Sequence, residues 1–198
     1  MSVEGRTYEQ WMDLARIEQS KGENKKAIEA YRKALQANVE SLDALNEMGL
    51  VHINIGEQTE AIDTFDRAIR TEPNDPRAYA NKAEAYLGTG GFEEALAAAE
   101  AGIAAQPDEP QLWVMKARSL ESLFRIDDAV EAYHEALRLN SNNPDTWKAL
   151  ALCMDAQQKW DEVARAYRIA ADLHTRRGET QDARSCRKFA ELAEKTAD

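Results

Sequence analysis

Residues 42–75, LDALNEMGLVHINIGEQTEAIDTFDRAIRTEPND, decide the fold. Leu45, Met48 and His52 are spaced by three and four, and so are Ala61, Phe65 and Ala68. That spacing places each set on one face of an α-helix. The break between the two helices falls at Asn54-Ile55-Gly56-Glu57, and Pro73 closes the segment because proline cannot continue a helix.

The same pattern returns 34 residues later as Tyr79, Ala83, Tyr86, Ala95, Ala99 and Pro107, and 34 earlier as Trp11, Leu14, Ala15, Ala27, Tyr31 and Ala34. Trp113, Ala117, Ala129, Tyr133 and Ala136 carry it onward, followed by Trp147, Leu150, Ala151, Tyr167 and Ala170. Residues 1–6 are expected to fray, and Thr7 with Gln10 forms a capping box at the first helix. Asp75-Pro76 places a capping side chain before a first-turn proline. Gly88-Thr89-Gly90-Gly91 lacks the Lys-Ser/Thr and the preceding strand of a phosphate loop, so it reads as a helix–helix turn.

A helix–turn–helix unit recurring at this period with these small and aromatic positions resembles the tetratricopeptide repeat. The small residues Ala15, Gly49, Ala83, Ala117 and Ala151 let neighbouring helices approach closely. The resemblance implies an all-α fold, a right-handed superhelical solenoid with a C-terminal capping helix. Its expected parts are a flank at 1–7, five repeats at 8–41, 42–75, 76–109, 110–143 and 144–177, and the capping helix within 178–198. Gly178, Ala183 and Ala190 reproduce the repeat spacing there, and an end helix hides the apolar face that a last repeat would expose. Departures are Val39 and Ser141 for the closing proline, Val163 for alanine and Gly102 for alanine.

In that family the first helices line a concave groove that holds an extended peptide or a partner helix. Carried over position by position, the resemblance makes Arg16, Asn46, Leu50, Arg77, Asn81, Val114, Arg118, Lys148 and Leu152 the expected peptide-binding residues, with Met12 and Met115 beside them. Leu50, Val114 and Leu152 are the apolar anchors; Asn46, Asn81 and the arginines orient the ligand. Asn81, flanked by Arg77 and with Arg118 facing it, is the best polar cluster. The competing reading is that Arg77 and Arg118 pair with Glu47, Glu84 and Glu121. The Lys/Asn/Arg clamp by which one subfamily holds chaperone tails is not reproduced in any frame, since residues such as Glu47, Met115 and Asp145 fall in its places.

The formal charge of −11 opposes nucleic acid and anionic membranes, both of which need clustered Lys and Arg. The charge is uneven: residues 159–198 carry +1, and the remainder −12. Two cysteines, Cys153 and Cys186, are too few for a disulfide framework and fall inside apolar-periodic helices. No secretory signal or 18-residue apolar run is present, so a cytoplasmic protein is expected. His52, His134 and His174 lack zinc-ligand spacing, and no nucleophile signature is found; no metal, cofactor or catalysis is expected. The expected function is a non-catalytic scaffold or adaptor for a protein or peptide ligand. The alternative is self-association of the array through its end helix.

Overall fold

The computed structural model describes residues 5–197; residues 1–4 of the flank expected to fray, and residue 198, lie outside them. Among the described residues there are eleven helices and no strand. They are α1 (Tyr8–Ser20), α2 (Asn24–Ala37), α3 (Leu42–Asn54), α4 (Gln58–Thr71), α5 (Pro76–Thr89) and α6 (Phe92–Ala105). Then follow α7 (Pro110–Ser122), α8 (Ile126–Leu139), α9 (Pro144–Ala156), α10 (Trp160–Arg176) and α11 (Thr180–Ala197). The fold is an all-α helical repeat, as the period predicts. The chain divides between Pro107 and Asp108 into two compact units, α1–α6 and α7–α11.

Local chemistry sets the helix ends. Thr7 accepts the Gln10 N–H at 3.3 Å while the Gln10 side chain accepts the Thr7 N–H at 3.0 Å, completing the capping box. Asp75 accepts the Arg77 N–H at 3.0 Å, with Pro76 in the first turn where its missing donor costs nothing. The turn inside each hairpin needs one residue in the left-handed region. Gly22, Gly56, Gly90 and Gly178 supply it at φ between 77° and 81°. One and two periods after Gly90 the same conformation falls on Phe124 (φ 58°) and Gln158 (φ 59°), where a Cβ makes it costly.

Within the first unit each helix packs on the next, and α3 also meets α5. Gly49 is required by close approach: a Cβ there would lie 2.4 Å from the ring of the fully buried Phe65. Trp11 is buried at the start of this unit, with Arg6 and Lys33 held 4.8 and 4.9 Å from its ring centroid. At the other end α6 buries only Ala95, Ala98, Ala99 and Gly102.

The second unit buries larger groups, including Leu112, Leu120, Tyr133 and Leu150. Burial of each such side chain stabilises by about 1.5–3 kcal/mol. Here α10 packs on both α9 and α11. Ala183, Cys186, Ala190 and Ala193 form the buried face of α11, while Arg184, Arg187, Lys188 and Glu191 are exposed. Both cysteines are free and buried. Among the described residues no helix is long and apolar enough to cross a membrane.

Candidate functional site

In the first unit the expected residues come from α1, α3 and α5. Arg16 is exposed and makes two bonds to the Glu47 carboxylate, at 2.6 and 2.9 Å. Glu47 also accepts the Tyr31 hydroxyl at 2.8 Å. The bonded carboxylate raises the Arg16 pKa further, and burial followed by the Glu47 contact pushes the Tyr31 phenol well above its usual range. As an exposed pair, Arg16–Glu47 contributes about 0–1 kcal/mol.

Asn46 differs from expectation. It is buried rather than presented to a ligand, because the side chain turns toward Asp75 and donates to it at 3.2 Å. Its oxygen then accepts from Asn81 at 3.3 Å. Asp75, itself buried, receives Arg77 Nη2 at 3.0 Å, and Arg77 Nη1 reaches Asp43 at 3.0 Å. These bonds, Asp75 foremost, raise the Arg77 pKa. Arg77 therefore pairs with two aspartates, not with the glutamates considered from sequence.

The outcome is a hydrogen-bonded chain, Asn81 to Asn46 to Asp75, that ends on a half-buried amide. Among the described residues the Asn81 oxygen and its second N–H make no hydrogen bond. Leu50, 39% exposed, lies on the same helix as Asn46. Met12 is a correction: it is 3% exposed and belongs to the core, as does Met115 in the second unit at 2%. Both sit on the flank of an apolar stripe wide enough to take them inside.

The second unit is less polar. Val114 is half-buried and lines a cavity of about 170 Å³ with Glu109, Gln111, Asn140 and Asn143. Arg118 is half-buried, its Nη1 3.9 Å from the Met115 sulfur. Lys148 pairs with Asp145 at 3.1 Å. Leu152, 56% exposed, opens onto a different cavity of about 370 Å³ between α9, α10 and α11. Thus Val114 and Leu152 are not brought together.

Sequence reasoning did not identify that second cavity. Trp160, Val163, Tyr167, Phe189, Leu192 and Ala193 line it, with Asp155 at its edge. Tyr167 and Phe189 stack at 5.2 Å between centroids. Phe189 and Leu192 are 51% and 61% exposed, and the Asp155 carboxylate makes no hydrogen bond or ion pair among the described residues. Burial, then the Asp155 charge, raises the Tyr167 pKa.

Two of the three histidines serve the turns. His52 and His174 are buried, and their Nδ1 atoms lie 2.7 and 2.5 Å from Glu57 and Glu179 in the following turn. Burial, with a smaller push from Glu121, raises the Cys153 thiol to about 12, which leaves it almost no thiolate at neutral pH. No cluster among the described residues could hold a metal ion.

Three family models, each of the tetratricopeptide repeat, match residues 12–76, 56–119 and 110–153. No protein of curated function matches the chain significantly. Among solved structures, TTC0263 of Thermus thermophilus, a thermophilic TPR protein, superposes with a TM-score of 0.75 at 19% identity, covering 94% of this chain and 100% of its own. MamA gives 0.71 at 20% identity, covering 85% and 98%. YrrB, a TPR protein with an unusual peptide-binding site, gives 0.63 at 15% identity, covering 90% of each.

Proposed function

The chain belongs to the tetratricopeptide repeat family, whose members are generally non-catalytic protein-interaction scaffolds, and from that premise we propose that its first helices bind a peptide segment of a partner protein. The proposed division is five repeats, 8–41 through 144–177, followed by the end helix. The observation that carries the reading is the Asn81 amide. Buried Asn46 and Asp75 hold it in place, while its oxygen and second N–H make no hydrogen bond among the described residues.

One amide of that kind satisfies both the N–H and the C=O of an extended peptide backbone. Because the chain behind it is already ordered, binding loses little side-chain entropy. Arg16 and Arg77 are neutralised by carboxylates, Arg77 by two, and with −12 on residues 1–158 this favours a basic ligand over an acidic one. Leu50 supplies an apolar contact in this unit; Val114 and Leu152, with Arg118 and Lys148, are the proposed contacts in the second. YrrB, with its peptide-binding site, supports the reading by analogy.

Screening short labelled peptides by fluorescence polarisation tests it. Loss of two hydrogen bonds predicts that Asn81→Ala weakens the selected peptide by about tenfold or more. Asp63→Asn, on the exposed side of α4, serves as the control and leaves affinity unchanged. A peptide that binds Asn81→Ala and wild type equally removes the amide from the site and overturns the proposal.

A further inference from the structure

Phe124 is the most exposed large apolar side chain of the described residues, at 89%, and stands at the α7–α8 turn with φ 58°. At the equivalent place three other repeat hairpins carry glycine, the residue that adopts this conformation without strain. The backbone there is fixed: Phe124 N–H donates to Glu121 at 2.9 Å and Arg125 N–H to Leu120 at 2.9 Å. An aromatic ring at this position costs the monomer backbone strain and keeps apolar surface in water. Strain at an exposed side chain is an argument for a contact outside the chain.

The same unit contains a receptor for such a ring. The cleft of Leu152, Trp160, Tyr167, Phe189 and Leu192 has a volume of about 370 Å³. An apolar cavity of about 150 Å³ already admits a benzene molecule. At its edge the unpaired Asp155 invites a cation beside the aromatic group. The sequence Phe124-Arg125 is an aromatic side chain followed by a cation. Arg125 uses Nε and Nη2 on Asp128, and a guanidinium has further donors on Nη1.

We propose that Phe124 of one copy enters the α9–α11 cleft of a second copy, with Arg125 beside Asp155, so that the chain associates head to tail. A ring on one copy seated in the cleft of the next is a head-to-tail contact, which leads to closed rings or open filaments. The inference goes beyond peptide binding and shares only Leu152 with it. A single aromatic anchor and an edge ion pair correspond to a dissociation constant of roughly 0.01–1 mM.

Sedimentation velocity across that concentration range tests the proposal on wild type, Phe124→Gly and Leu192→Asp. Glycine suits the turn, and Leu192 is mostly exposed, so both variants retain the fold, which circular dichroism checks. Wild type is expected to gain mass with concentration, and each variant alone to weaken association by at least about tenfold. Mixed in equal amounts, the variants form a 1:1 dimer, because Leu192→Asp keeps the ring and Phe124→Gly keeps the cleft. A wild type that stays monomeric throughout, association insensitive to either change, or a mixture that does not pair overturns the proposal. Asn81→Ala leaves the association intact, so failure of peptide binding and failure of assembly remain separate results.

Discussion

In the first unit Asn46, Asp75 and Asn81 form one hydrogen-bonded chain; two periods later the same places hold Val114, Asn143 and Ala149. The helical frame is shared, but the surface chemistry is not. The first unit holds the half-buried Asn81 amide and the Arg16 and Arg77 ion pairs at its surface and exposes Ile17, Val39 and Leu50, whereas the second exposes Leu152, Phe189, Leu192 and above all Phe124. The repeat needs only its apolar stripe and its turns. What faces solvent can therefore diverge without cost to the fold.

Replacing the capping side chains sharpens this contrast most. Asp75 caps α5 and also anchors Asn46 and Arg77, so Asp75→Ala loses the cap and strands a buried amide. A cost of about 2–3 kcal/mol in urea unfolding is expected. Asn143 caps α9 and its side chain bonds nothing else among the described residues, so Asn143→Ala costs about 1 kcal/mol. Equal losses would mean that the amide chain adds nothing to stability.

Gly49→Ala drives a methyl into Phe65, with an expected cost of about 1–3 kcal/mol despite the better helix propensity of alanine. Phe65→Leu in the same chain should recover part of it. At the turns the signs oppose each other: Gly90→Ala destabilises by about 1 kcal/mol, while Phe124→Gly stabilises by a similar amount. Thermal melts of the two read the difference directly.

The smallest effect at neutral pH is the titration of buried phenols and thiols. Tyr31, Tyr133 and Cys153 all have raised pKa values, burial being the first cause in each. Their protonated forms are the ones the fold favours. The stabilisation is thus complete below the unfolded value, 9.0 for the thiol, and is lost as pH climbs toward its folded value of about 12. Stability should fall above about pH 9, and Cys153→Ala should flatten the early part of the decline.

The helices and their caps were legible because each depends on neighbours within one or two turns, and the packing glycine because the same place in the other repeats holds Ala15, Ala83, Ala117 and Ala151. Thr7 with Gln10 and Asp75 with Pro76 carry their signals side by side. Depth was not legible. Periodicity assigns a face, and Met12 and Met115 sit where a broad face curves inward. Nor was the fate of Asn46, whose burial depends on Asp75 from the next hairpin. The strained turn at Phe124 was accessible in principle: counting the period onward from Gly22, Gly56 and Gly90 lands on it. The α9–α11 cleft required side chains of three helices at once.

The uneven placement of tryptophan offers an optical consequence. Trp11 is the sole indole before Pro107, shielded under Arg6 and Lys33, whereas Trp113, Trp147 and Trp160 all belong to the second unit. A variant with those three changed to phenylalanine emits from the first unit alone, and Trp11→Phe emits from the second. Denaturant titrations of the pair turn the boundary at Pro107 into a two-colour question: coincident curves mean that the units melt as one body, and separated curves give each its own midpoint.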